Sequence, residues 1–261
     1  MVNSQGPAND DDTEGRAWHE GSVGTLAFFD EEGTRLKTTY IARMPEANKT
    51  TTVAMLEQEL LSVISERPNV NVVFASDGAA AQWTALENVA EHLPDNFTGH
   101  SMNLVDAFHV AEYVQDGADA IKGTNSADAA ILAATWRETL KEKEGGADIV
   151  LRSMRGHLGG VVARTRRTTL EKVIGYIDRQ NQAGRMAYAE AKQRHYPIGT
   201  GVTEAAAKTV VGTRIKRAGA RFSQHGGQTV MLFRAALLSH RFDALHQQLH
   251  RTYIKSVKVA A

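Results

Sequence analysis

The chain has 261 residues, with 30 Lys and Arg balancing 30 Asp and Glu, which is length enough for one large domain or two small ones around a substantial core. It has no cysteine, which excludes a disulfide framework, a thiolate metal site and a cysteine nucleophile, and fits a reducing cytoplasm. No apolar run approaches the roughly 18 residues of a membrane span, and the polar start MVNSQGPANDDDTEG carries no secretory signal.

Residues 1–20 read as disordered or peripheral. Gly6-Pro7, Asp10-Asp11-Asp12 and Gly15 are turn and solvation signals without periodicity. SVGTLAFFD (22–30) and TRLKTTYIA (34–42) read as two strands joined by the turn Asp30-Glu31-Glu32-Gly33, an antiparallel pair. Pro45 breaks the second strand. Over 50–66, Val53, Leu56, Leu60, Val63 and Ile64 fall at helical spacing, which predicts an amphipathic helix packed on the sheet.

NVNVVFASDGAAAQW (69–83) is the stretch that carries the first chemistry. The apolar run Val70 to Ala75 ends in Ser76-Asp77-Gly78 and turns into helix-forming sequence. This is how an α/β fold presents a carboxylate at the carboxyl end of a buried strand. The plainer reading is a turn with an N-cap, a common use of Asp. A helix is expected over 79–92, with Trp83, Leu86 and Val89-Ala90 on one face, stopped by Leu93-Pro94-Asp95-Asn96. HSMNLV (100–105) then reads as another short strand, with Asp106 and His109 at its end and a helix from Phe108 to about Val114. In a βαβ unit, parallel strands place such junctions on one edge of the sheet. Asp77 and Asp106 are therefore expected within one site.

From 116 to 195 Ala, Leu, Arg and Glu dominate, and three or four helices are expected, with breaks at Gly145-Gly146, Gly159-Gly160 and Ala183-Gly184. Arg164, Arg166 and Arg167 form the most basic cluster of this block; a solvated helix face is the plainer reading of such a run. The turn Tyr196-Pro197-Ile198-Gly199-Thr200-Gly201 cannot continue a helix. Thr203 then opens an apolar helix whose first turn holds Glu204, a position where a carboxylate caps equally well. Arg214, Lys216, Arg217 and Arg221 come after it, and then two further helices.

The neutral total hides a polarity: residues 1–150 hold 10 Lys and Arg against 25 Asp and Glu, a net of −15, and residues 151–261 hold 20 against 5, a net of +15. A basic half suggests a polyanion such as DNA; mutual neutralisation inside the protein accounts for it equally well. His246 and His250 stand at the i, i+4 spacing of zinc ligands, with no third ligand nearby and no HExxH. There is no P-loop, no GxGxxG after a strand and no GxSxG elbow.

Three stretches together, ASDGAAAQW (75–83), LVDAFHVAEYV (104–114) and YPIGTGVTEAAAKTVVGTRIKRAGARFSQHGGQTV (196–230), resemble insertion-sequence transposases of the ISKra type. The strands of 22–46 resemble the early strands of the same core. The resemblance runs from about residue 16 and implies an α/β fold: an RNase H-like mixed sheet with flanking helices (21–115), a helical insertion (116–195) and the end of the core with the Glu helix and basic helices (196–261). It implies DNA strand cleavage and transfer by three carboxylates holding two divalent ions, Mg²⁺ or Mn²⁺. By motif, Asp77 is the second acidic residue and metal ligand and Glu204 the third; Asp106 and His109 line the site. Arg164, Arg166, Arg167, Arg214, Lys216, Arg217 and Arg221 would hold DNA, the insertion-sequence ends or the target, by their phosphates.

The family's first catalytic Asp lies on a strand expected before the region of residues 1–20. Asp10, Asp11 and Asp12 stand in a polar loop, not at the end of an apolar strand. The expectation is therefore an N-terminally truncated core with an incomplete two-metal site, weak or inactive alone. It could assemble as a homo-oligomer or with intact transposase. Two other readings compete: a non-catalytic DNA-binding remnant that interferes with intact transposase, and an unrelated metal-dependent α/β hydrolase.

Overall fold

The computed structural model describes residues 2–5, 18–19, 21–46, 49–216 and 220–256. In chain order the first elements are strands β1 (Val2–Gln5), β2 (Trp18–His19), β3 (Ser22–Phe29) and β4 (Arg35–Arg43). Helix α1 (Thr50–Glu66), strand β5 (Val72–Ser76), helix α2 (Ala80–Glu91) and strand β6 (Ser101–Val105) come after them. Five helices are next: α3 (Ala107–Lys122), α4 (Ala127–Glu142), α5 (Gly146–His157), α6 (Arg164–Gln182) and α7 (Tyr188–Gln193). The chain continues through α8 (Gly201–Ala206), strand β7 (Phe222–Ser223), α9 (Gln224–Leu238) and α10 (Phe242–Ser256). The fold is mixed α/β, rich in helix, with small sheets. Of residues 1–20, expected to be peripheral, β1 and β2 are extended and paired with one another; the rest, Asp10, Asp11 and Asp12 included, lie outside the described residues. Among the described residues no helix is long and apolar enough to cross a membrane.

The chain divides into two compact units. One comprises residues 1–30, 34–66 and 201–261, the other 31–33 and 67–200. The main divisions between them fall at 66/67 and 200/201.

In the first unit β3 and β4 pair antiparallel, Ser22 opposite Arg43, with an irregularity at Phe28/Phe29. Successive residues of β3 face opposite sides. A Cβ at Gly24 would meet Leu56 of α1, whereas Thr25 Oγ1 shares a hydrogen bond with Thr203 Oγ1 of α8 at 2.7 Å. The hairpin is therefore covered on both faces, which is why Thr38, Thr39, Ile41 and Ala42 of β4 are all buried. The free edge of β4 is closed by side chains of α9 and its C-terminus. Gln228 accepts from the Met44 amide (2.9 Å) and donates to the Ala42 carbonyl (3.2 Å), and Ser239 accepts from the Tyr40 amide (2.9 Å). Such closure removes the hazard of an open strand edge. Met44, Val210, Val211, Ile215 and Met231 form this unit's core. Between α8 and residue 213 the backbone runs as a π-helix, Ala207–Gly212.

In the second unit β5, α2 and β6 form a βαβ unit with the strands parallel, Ser76 opposite Val105. Trp83 of α2, Leu104 and Val105 of β6, Val110 and Val114 of α3, Trp136 of α4, Met154 of α5, Ile177 of α6 and Tyr188 of α7 belong to one continuous core. The helices expected as an insertion are thus built onto the strands by shared burial, at about 1.5–3 kcal/mol for each large apolar side chain removed from water. Trp136 donates to Ser153 Oγ at 3.1 Å, joining α4 to α5.

Candidate functional site

Asp77 directly succeeds β5, and Gly78 takes φ +99°, a backbone that side chains with a Cβ rarely adopt. The Asp77 side chain is exposed. One oxygen accepts from the Ala79 amide at 3.1 Å and, more loosely, from Ser76 Oγ at 3.4 Å. The turn reading holds on Oδ1, which closes the turn, while Oδ2 meets no donor among the described residues. A hard, exposed carboxylate oxygen suits a divalent cation that keeps most of its waters.

Asp106 stands on the neighbouring strand end. Its amide donates to the Ser76 carbonyl at 2.8 Å, so the two junctions lie side by side on one edge, as the parallel pairing requires. Its carboxylate has another fate. At 1 % exposure it is the N-cap of α3, accepting from the Phe108 amide (2.6 Å) and the His109 amide (3.0 Å) on Oδ1. Oδ2 accepts from the Thr200 amide (2.5 Å) and from the Thr200 hydroxyl. Burial works against its charged form, yet the bonds from Thr200, His109 and Phe108 outweigh it and hold the carboxyl below its ordinary range. With both oxygens bonded twice, Asp106 ties together β6, α3 and the Ile198–Thr200 turn and is not an open cation ligand.

The helices beyond α3 fasten the same edge. Tyr176 of α6 donates its hydroxyl to the Asp77 carbonyl at 3.3 Å, and Tyr188 of α7 donates to the Val105 carbonyl at 2.8 Å. Burial pushes both phenols far above their ordinary range, so both stay protonated donors. The Val105 amide donates to the Arg185 carbonyl at 2.8 Å, while the Arg185 guanidinium lies 4.2 Å from the centroid of Trp83 and pairs with Glu87 at 2.5 Å. His109 sets its ring edge-on to Tyr113 and Tyr176, which stack at 3.8 Å, and its Nδ1 lies 3.4 Å from Glu112. His109 thus borders the edge on an aromatic wall.

The fold gathers Asp77, Asp106 and His109 in the second unit. Glu204 belongs to the first, exposed in the first turn of α8, the residue run that begins directly after Thr200. Among the described residues no group of three or more His, Asp or Glu side chains is placed to hold a metal ion. His246 and His250 stack with one another on α10, a helix with no buried residue.

The expected DNA-binding cations divide likewise. Arg164 is exposed, whereas Arg166 donates to the Ala120 and Ile121 carbonyls, both at 2.7 Å, and caps the end of α3; Arg167 pairs with Glu171 at 3.2 Å. Arg214, Lys216 and Arg221 are exposed in the first unit, and Arg217 lies outside the described residues. Mutual neutralisation is real in part: Glu59–Arg241, Glu87–Arg185 and Glu142–Lys192 each join the acidic half of the sequence to the basic half within one unit.

Sequence reasoning missed Tyr176, Tyr188, Arg185 and Thr200 as determinants of this edge. Thr200 alone carried a signal, a hydroxyl in a turn held between two glycines. No family model matches the chain, and no curated protein and no solved structure matches it.

Proposed function

We propose that this chain is the catalytic core of a DDE transposase with an RNase H-like sheet, acting on DNA phosphodiesters with Mg²⁺ or Mn²⁺. The observation that carries the reading is the parallel β5–β6 pair with Asp77 and Asp106 on adjoining strand ends, where open α/β sheets present their reactive groups. Divalent cations would supply Lewis acidity and an activated water or 3′-hydroxyl at the attacked phosphate. Asp77 is the ligand in the second unit, and the resemblance assigns Glu204 the companion role. Asp106 positions the edge, and Tyr176 holds the Asp77 turn.

The test is nicking of insertion-sequence end DNA with Mn²⁺ by the native chain, Asp77→Ala and Glu204→Ala. Nicking that is lost in both variants supports the reading; nicking that survives both overturns it. A second reading draws on the absence of a three-carboxylate group among the described residues and on exposed Arg164, Arg214, Lys216 and Arg221. It is a DNA-binding chain that competes with intact transposase, and DNA binding without any nicking favours it.

A further inference from the structure

Phe108 stands two residues after the Asp106 N-cap, yet the residue is 65 % exposed. A single exposed apolar residue is ordinary. The surroundings of this one are not. Its amide is fixed by Asp106 at 2.6 Å, so the ring's base cannot wander from the strand edge. A Cβ at Gly199 would come within 2.9 Å of the ring, so the glycine lets the 198–200 turn press against one side of it. Alongside opens a groove of about 320 Å³ between α3 and α4, lined by Phe108, Ala111, Glu112, Gln115, Asp116 and Arg137.

The polar groups of the groove are arranged as if for a ligand. Arg137 donates to Gln115 Oε1 at 2.7 Å and reaches the Ala111 carbonyl at 3.4 Å, but its Nε has no acceptor among the described residues. Lys141 holds its ammonium 5.3 Å from the Phe108 ring centroid. Glu112 and Asp116 stand one helical turn apart on α3 and bring negative charge to the same rim. Two carboxylates repel a phosphate; they accept hydrogen bonds from exocyclic amines, as carboxylates do from cytosine N4.

We propose that this groove is a nucleobase subsite. It takes an unpaired base of the strand whose phosphate lies at the Asp77–Asp106 edge, stacks it on Phe108, and prefers bases that carry an exocyclic amine, facing Glu112 and Asp116, over thymine, which has none. Lys141 meets the backbone of the same strand. The inference rests on the reading that the substrate is DNA, but it requires no strand cleavage. Aromatic stacking binds single strands whatever the base, because every base has a flat face; the carboxylates add the preference.

The experiment measures binding of the full chain to short single strands of deoxyadenosine carrying a central 2-aminopurine, in EDTA so that nicking cannot contribute. Phe108→Ala should weaken binding about tenfold, the scale of one lost stacking contact, and abolish the change in probe fluorescence. Phe108→Trp should keep both. Glu112→Gln with Asp116→Asn should narrow the preference of deoxyadenosine and deoxycytidine strands over deoxythymidine. Equal binding of native chain and Phe108→Ala would overturn the subsite, as would equal binding of an abasic strand that keeps every phosphate. A native chain that passes this test and never nicks DNA leaves the subsite standing and removes only the transposase reading.

Discussion

Asp77 and Asp106 arise from the same sequence pattern, an apolar strand ending in Asp before a helix, and the fold uses them oppositely. Asp77 is exposed, keeps one oxygen unengaged, and sits beside a glycine at φ +99°. Asp106 is buried and accepts four hydrogen bonds. The difference comes from the path of the chain beyond each residue. After Asp77 the chain turns away through Gly78 before α2 begins, and only Ala79 offers an amide to the side chain. After Asp106 the helix starts at once, and the 198–200 turn returns to cover it. A strand-end carboxylate is thus open or structural according to whether a later segment of the chain closes over it.

The sharpest way to break this contrast is substitution of each carboxylate by Ala. Asp106→Ala removes a helix cap and strands the Thr200 amide, and should cost about 3 kcal/mol. Asp77→Ala should cost less than about 1 kcal/mol, because its side chain is exposed and bonded mainly to one amide. Urea midpoints of the two variants would settle the matter: equal losses, or a larger loss for Asp77, would end the distinction. Gly78→Ala comes next, at about 2 kcal/mol, from the strain of a positive φ and displacement of Tyr176. A Cβ there would stand 2.5 Å from the Tyr176 hydroxyl, so the loss should shrink when the change is made in a Tyr176→Phe background. If it does not, backbone strain alone fixes Gly78.

Sequence distance decided how much of this was legible. The helix over 50–66 and both strand-end carboxylates rest on local periodicity, and the structure has them where the spacing puts them. The helix breaks near 145, 159 and 183 were also local, marked by glycine. The break at 123–126 was not foreseen, although Gly123 at φ +105° and the Ser126 cap both mark it; α3 runs on to Lys122, well past Val114. The fastening of the edge was out of reach. Tyr176 lies 99 residues from Asp77, Tyr188 lies 83 from Val105 and Thr200 lies 94 from Asp106. No pattern of hydrophobic spacing reports a hydroxyl that meets a carbonyl so far along the chain. The composition change at 116 marks where these helices begin, but no local pattern reports that they share burial with β6 and α2.

A smaller effect tests the closing segment itself. Thr200→Val keeps the branched shape and the backbone amide and removes only the hydroxyl that donates to Asp106, so it should cost about 1 kcal/mol at neutral pH. Its pH dependence has a definite sign. The native Asp106 carboxyl is held below its unfolded value, which for Asp is about 3.9. Its stabilisation is therefore complete above that value and is lost as pH falls through the lower folded value. Removing the Thr200 hydroxyl raises the folded value toward the unfolded one. Urea midpoints measured from neutral pH down to acid should then converge for native chain and variant, because protonated Asp106 makes little use of Thr200 in either. A gap that stays constant down to the acid limit would mean that the Thr200 side chain acts by packing, and that Asp106 owes its charge to the backbone amides alone.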